Sequence, residues 1–187
     1  MKLLVVVASE TGLTHRLAEA LAEGAREAGA DVVLRQATDA EERHLLEADA
    51  IVLGSGVHMG GMESSMRAFL ERSAPVWIQG KLTGKLGAAF ASAGQGGRGG
   101  GELTLISLLA ALAEHGLLLV PMPSRLDGYG EGGCHWGPLA WTNPRRGEAG
   151  PTAGHLRAAR AHGRHVAKCT ARWLQGRSST TGSDPGV

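Results

Sequence analysis

Three observations predict an α/β fold: a doubly wound, five-stranded parallel sheet with helices on both faces. Short apolar runs rich in β-branched residues alternate with longer stretches of helical period. The first run is apolar at every position, as in a strand covered on both faces. Turns rich in glycine and hydroxyls recur where strands end, the edge at which such sheets receive ligands.

Leu3 to Ala8 is the first strand; the run is too short, and Ser9-Glu10 too polar, for a secretory leader. Leu13 to Ala28 repeats Leu17, Leu21 and Ala25 at helical spacing and stops at Gly29. Asp31 to Leu34 is a second strand, Asp39 to Glu47 a weak acidic helix, and Ala50 to Gly54 a third strand. Met62 to Arg72 is helical, with Met66, Phe69 and Leu70 on one side. Leu86 to Ser92 is the fourth strand and opens into Ala93 to Gly101, a loop with six glycines. Leu103 to His115 is an apolar helix, and Gly116 to Val120 a fifth strand stopped by Pro121. Residues 122–150 show neither period and read as a long surface excursion, a lid or a subunit contact. Pro151 to Leu174 is the last helix, which closes a single domain over residues 1–174; residues 175–187 read as a disordered tail.

Composition removes several classes of function. Hydrophobic residues make up 43% of the 187, which excludes a disordered polyampholyte. A formal net charge of +1 excludes a strongly basic nucleic-acid binder and a strongly acidic electron carrier. No apolar run approaches the ~18 to 20 residues of a membrane helix. Cys134 and Cys169 cannot form a disulfide framework, and read as thiols of a cytoplasmic protein.

The chemistry concentrates in three turns. Ser9-Glu10-Thr11-Gly12-Leu13-Thr14 opens directly into a helix, and its hydroxyls, its glycine and the helix N-terminal N–H groups suit a phosphate. It carries neither a phosphate-loop lysine nor G-x-G-x-x-G, so it fits neither a magnesium triphosphate nor a direct dinucleotide site. Plain helix capping by Ser9 or Thr11 is the bland alternative. Ser55 to Gly61 and Ala93 to Gly101 are the other two turns.

With these residues in view, the chain resembles the flavodoxin-like superfamily through S-x-T-G-x-T after an apolar first strand. More closely, it is similar to WrbA-type NAD(P)H:quinone oxidoreductases. The matching stretches are Ile51 to Met62, Met66 to Leu70, Trp77 to Gly80, Gly84 to Leu86, Phe90 to Gly97 and Leu112 to Gly116. The resemblance spans residues 1–121; the last helix matches only in kind. It implies non-covalent FMN, with Ser9, Glu10, Thr11, Gly12, Leu13 and Thr14 at its phosphate. It places Val57, His58 and Met59 along the ring system, and Ser92, Ala93, Gly94, Gln95, Gly96 and Gly97 at its pyrimidine edge. His115 is implied as a catalytic, flavin-proximal group and Trp77 as the wall against which substrate stacks. The chain departs from the family pattern with Met59 for Phe, Gly56 for Pro, Ala93 for Thr and Thr11 for an aromatic residue.

The resemblance therefore implies two-electron transfer from NAD(P)H through FMN to a quinone-like acceptor, in a homo-oligomer (dimer or tetramer). The alternatives are a flavodoxin-type electron carrier without substrate turnover of its own, and a partner-binding module without flavin. Neither nucleic acid nor a membrane is implied as a partner.

On a helical wheel the last helix has three stripes. Leu156, Ala159, Gly163, Val166, Thr170 and Trp173 form its packing face. Arg157, Arg160, Arg164, Lys168 and Arg172 form a basic stripe, read as a solvated face or a surface for an anionic partner. His155, His162, His165 and Cys169 share the remaining flank, where inert boundary residues are favoured over a zinc or nickel site; no metal is expected.

Overall fold

A computed structural model describes residues 1–94, 98–141 and 150–180 of the chain. The first half contains β1 (Lys2–Ala8), α1 (Leu13–Glu27), β2 (Asp31–Gln36), α2 (Glu42–Glu47), β3 (Ala50–His58), β4 (Gly61–Met62), α3 (Ser64–Arg72), α4 (Ala74–Ile78) and β5 (Leu86–Ala93). The second half adds α5 (Arg98–Glu114), β6 (Leu118–Leu119), α6 (Tyr129–Gly132), β7 (Gly133–Cys134), β8 (Gly137–Trp141) and α7 (Ala153–Thr180). The sheet runs β2-β1-β3-β5-β8-β7, with β4 against β3 and β6 against β5. β2, β1, β3 and β5 pair in parallel.

β1 explains the layering. Leu3, Val5 and Val7 face α1 and α7, among Leu17, Leu21, Ala159 and Val166. Leu4, Val6 and Ala8 face the opposite layer, among Leu45, Met66, Phe69, Leu105 and Leu108. A strand apolar on both faces needs cover on both, and the two helical layers supply it.

Two features lock these layers. α1 and α7 touch backbone to backbone: a Cβ on Gly24 would stand 1.9 Å from the Arg160 carbonyl oxygen, and one on Gly163 2.0 Å from that of Leu21. At the other layer, Lys85 Nζ donates to the carbonyls of Leu45, Leu46 and Ala48 at 3.0, 2.6 and 2.7 Å. It thereby caps α2 from the start of β5.

The fifth strand differs from the sequence expectation. Its place beside β5 is shared by two pieces: β6 pairs with Leu86 and Gly87, and β8 pairs with Ala91 to Ala93. The chain between them leaves the sheet, so residues 122–141, the described part of the expected excursion before residue 150, are not simply surface. Met122 and Ala140 are fully buried. Gly137 and Pro138 read as strand breakers in sequence, yet Gly137 allows close approach to β5, its missing Cβ falling 2.0 Å from the Ala89 carbonyl oxygen. Two helices are also longer than expected. α5 begins at Arg98, inside the glycine-rich loop, and α7 continues through residues 175–180, which hold no proline to end it.

The crossing generates one expectation. Gly163→Ala forces α7 off α1 and costs about 1–3 kcal/mol in urea unfolding. Gly176→Ala adds a Cβ that meets nothing within 4 Å, and gains about 0.5–1 kcal/mol. Equal effects of the two would refute the backbone contact.

A second concerns acid. His162 is fully buried, and among the described residues neither ring nitrogen has a hydrogen-bond partner. Burial, with His165 adding to it, pushes its pKa down to about 3. Below pH 6.5 the unfolded chain takes a proton that the folded chain refuses until about pH 3. Stability therefore falls with pH across that window, by up to ~1.4 kcal/mol per unit. His162→Leu should flatten this fall in urea midpoints measured between pH 7 and 4; an unchanged slope would remove His162 as its source.

Candidate functional site

Because β1, β3 and β5 are parallel neighbours, their last residues open onto the same edge of the sheet. After β1, Gly12 adopts φ +81°, a left-handed conformation that turns the chain into α1. The Ser9 hydroxyl accepts the His15 N–H at 3.2 Å. Among the described residues no protein acceptor takes the N–H groups of Leu13 and Thr14, which leaves them pointing out of the positive end of the helix. Thr14 Oγ1 meets Ser92 Oγ at 2.7 Å, both buried, and so ties α1 to the end of β5.

The second turn is a hairpin. Val57 pairs with Met62 and His58 with Gly61, around Met59 and Gly60 at φ 49° and 84°. A two-residue turn of that twist needs both central residues left-handed, and it leaves Met59 fully exposed at the tip. Ser55 anchors its base: its hydroxyl donates to the Gly56 carbonyl and accepts the Glu63 N–H, each at 2.8 Å.

The third turn follows Ala93. Gln95, Gly96 and Gly97 lie outside the described residues. Gly100 and Gly101 belong to α5 and serve packing, not a ligand: a Cβ on Gly100 would come within 2.6 Å of Val57, and one on Gly101 within 2.7 Å of Leu139.

These turns surround a cavity of about 230 Å³. Glu10, Thr11, Leu13, Thr14, Val57, His58, Ser92, Ala93 and Gly94 all line it. Ser9 and Gly12 shape its first turn, and Met59 stands at the hairpin tip. Gly56 and Glu63 also line it, and sequence reasoning assigned neither a role. A carboxylate just before a helix reads in sequence as a cap. Glu63 makes no such cap. Its Oε1 accepts the Ser65 hydroxyl at 2.8 Å; its Oε2 is buried with no hydrogen bond among the described residues, 3.8 Å from His58 Nε2.

His115 and Trp77 come together, but not here. Trp77 lies in α4, ahead of the first residue of β5, and His115 stands just before β6, so both occupy the amino-terminal edge of the sheet. Eight residues of β5 separate the two edges, roughly 25 Å of extended chain. One chain therefore does not bring His115 or Trp77 to the cavity. At their own edge they border a groove of about 350 Å³ with Leu70 and Ala111. The Ser73 hydroxyl donates to the Leu70 carbonyl at 2.7 Å and lies 3.0 Å from His115 Nε2, while His115 Nδ1 is buried with no partner among the described residues. Burial pushes the His115 pKa down, against the opposing pull of Glu114. Trp77 Nε1 donates to the Glu114 carbonyl at 3.0 Å, leaving the indole 45% exposed.

α7 resolves into structural roles. Arg160 and Arg164 both pair with Glu27 of α1, and Arg157 pairs with Glu131 and Asp127. Most of the basic stripe is thus neutralised within the chain. On the flank, His155 takes the Thr152 N–H at 3.0 Å, His162 is buried, and His165 sits 3.6 Å from Cys169 Sγ. Among the described residues no three metal-ligating side chains converge. Cys134 donates its thiol hydrogen to the Gly137 carbonyl at 3.4 Å, and burial pushes its pKa up, the reverse of a reactive thiol.

Residues 4–94 match the family described as a flavodoxin domain. An NAD(P)H dehydrogenase (quinone) of Geotalea daltonii is 36% identical, over 89% of this chain and 95% of its own length. Its counterpart in Geotalea uraniireducens is 34% identical, over 92% and 98%. Among solved structures, the flavodoxin, WrbA-like protein from Agrobacterium tumefaciens superposes with a TM-score of 0.67 at 28% identity, covering 91% of this chain and 98% of that one. No helix among the described residues is long and apolar enough to cross a membrane.

An added side chain at Gly12 meets nothing within 4 Å, so Gly12→Val acts through its left-handed φ and not through collision. Forcing that residue out costs about 1–2 kcal/mol and swings the Leu13 and Thr14 N–H groups away. A ligand phosphate held at these N–H groups should lose affinity at least tenfold, read with FMN by flavin fluorescence, with an unchanged far-ultraviolet circular dichroism spectrum. Retained affinity would place the phosphate elsewhere.

Proposed function

The chain belongs to the family of NAD(P)H dehydrogenases (quinone) built on a flavodoxin domain, and from that premise we propose an FMN-dependent oxidoreductase moving two electrons from NAD(P)H to a quinone-like acceptor. The observation that carries the reading is the cavity lined by the described residues of all three turns, with N–H groups at the start of α1 that no described residue accepts.

The residues present fit FMN. The Leu13 and Thr14 N–H groups match a phosphate, Gly12 keeps that turn open, and Val57 and Met59 offer apolar surface to a flat ring. Neither cysteine lines the cavity, in keeping with non-covalent binding. FMN supplies the capacity to take up and release two electrons between donor and acceptor. The chain supplies the frame. The Thr14–Ser92 hydrogen bond holds the first and third turns together. The Ser55 hydroxyl fixes the hairpin to the start of α3. Ser92, Ala93, Gly94, Gln95, Gly96 and Gly97 are read as the pyrimidine side of the site, where backbone N–H groups can tune the ring without titrating.

His115 and Trp77 enter this reading through a second copy of the chain. Trp77 and Ile78 are 45% and 74% exposed beside the amino-edge groove, and an oligomer that docks this groove over a neighbour's cavity adds an indole wall and a neutral imidazole to the site. We place the enzyme in the cytoplasm, which the free Cys134 and Cys169 support.

Anaerobic mixing of FMN-loaded protein with NADH or NADPH should bleach the flavin absorbance at the rate of turnover; no bleaching with either donor refutes the enzyme reading. Trp77→Ala should leave FMN affinity unchanged while quinone turnover drops at least tenfold. An unchanged rate with every quinone would remove Trp77 from the site.

A further inference from the structure

α5 is apolar on both of its long faces. Leu105, Leu108, Leu109 and Leu112 are buried against the sheet. Leu103 and Ile106 lie on the outer side, 57% and 42% exposed. Leu103, Ser107, Ala110 and Glu114 follow one line along that outer face, with Ile106 beside it. A helix apolar all round ordinarily has cover on every side, and the described residues cover only one.

The two ends of this face reach the two separated parts of the site. α5 starts beside the β3–β4 hairpin: a Cβ on Gly100 would stand 2.6 Å from Val57 and 3.3 Å from the Gly60 Cα. The exposed hairpin tip, Met59, therefore flanks the first turn of α5. α5 ends in the amino-edge groove, where Trp77 Nε1 donates to the Glu114 carbonyl and Ala111 and His115 line the wall. The 17 residues of α5 span roughly 25 Å, which matches the separation of the two sheet edges.

We propose that the outer face of α5 is the contact between two copies of this chain, packed antiparallel about a two-fold axis near Ser107. This rests on the reading of Trp77 and His115 as residues delivered to a neighbour's cavity. In a two-fold contact one patch meets itself. Antiparallel α5 helices then bring each amino-edge groove beside the other copy's hairpin, and one contact completes two sites. The sizes fit, since Leu103 of one copy falls opposite Ala110 and Ala111 of the other. The charges fit as well: each Glu114 carboxylate reaches the start of the other α5, the positive end of that helix. With roughly 200 Å² for a large side chain laid bare, the exposed parts of Met59, Trp77, Ile78, Leu103 and Ile106 amount to roughly 600 Å² per copy. Two copies would bury about 1,200 Å², the size at which specific interfaces begin.

Sedimentation of the FMN-loaded chain should show a dimer or a larger even-numbered assembly. Ala110→Glu places a charge within the stripe. It should sediment as a smaller species and keep its FMN affinity, read by flavin fluorescence, while quinone turnover drops at least tenfold. Ser107→Cys should form a disulfide between copies under mild oxidation, seen on non-reducing electrophoresis, and the unmodified chain, with Cys134 and Cys169 alone, should not. A monomeric unmodified chain would overturn the proposal and leave the stripe to a different protein. An unchanged mass in Ala110→Glu or no cross-link in Ser107→Cys would overturn the contact, and dissociation of Ala110→Glu with full turnover would overturn the shared site. Flavin bleaching separates the two readings. An assembly linked through Ser107 that neither NADH nor NADPH bleaches supports the contact and refutes the oxidoreductase; a monomer that bleaches and turns over does the reverse.

Discussion

Thr14 and Ser92 stand 78 positions apart in the chain, yet their hydroxyls meet at 2.7 Å in the interior. That contact converts a property of parallel sheets into a site. Parallel pairing puts the ends of β1, β3 and β5 at one edge, but each turn beyond could splay independently. A buried hydrogen bond left half-made costs about 1–3 kcal/mol, so Thr14 and Ser92 hold the start of α1 against the end of β5. β3 lies between these strands, and its hairpin is fixed in turn by Ser55 through Glu63. Two hydroxyl contacts thus set the spacing of all three turns.

Much of this arrangement was legible in the residues, and the exceptions have physical causes. The strands at Leu3 and Ala50 and the helix from Leu13 declare themselves through unbroken apolar runs or helical period, because burial on both sheet faces leaves no room for polar residues. β8 does not, because its pairing rests on Gly137 lying against Ala89, and a close backbone approach looks in sequence like a turn. The glycines at 100 and 101 mislead in the same way: they thin the start of α5 for packing on Val57 and Leu139. Glu63 was invisible as a site residue because only the β3–β4 hairpin, pinned by Ser55 to the Glu63 N–H, brings it to the cavity. The position of Trp77 and His115, by contrast, is implicit in chain order. Each precedes a strand, and residues that precede parallel strands gather at the edge opposite the ligand.

The charge distribution has a similar explanation. Residues 151–187 carry six Lys and Arg against one acid, a bias that suggests an anionic partner until α7 is seen against its neighbours. Arg160 and Arg164 converge on Glu27, whose carboxyl they hold down at about 2, and Glu23 supports Arg160 at 3.3 Å. Acids of α1 and basic residues of α7 thus meet alongside the glycine crossing of the same two helices. Such exposed pairs contribute little individually. Their more telling consequence is to occupy the cations that would otherwise form a docking surface.

Taken together, these features separate three tasks in space. Backbone groups at the carboxyl edge offer geometry without charge, and the side chains of Glu10, His58 and Glu63 line the cavity beside them. The flat apolar wall and the second histidine stand at the amino edge, beyond the full length of β5. That length cannot be shortened by a side-chain rotation or a loop movement, because β5 is paired on both sides. If Trp77 and His115 take part in turnover, they must arrive on another copy of the chain, and the rate per chain must then depend on association while FMN affinity does not. An enzyme of this design would bind its cofactor as a single chain and turn over its substrates only as an assembly.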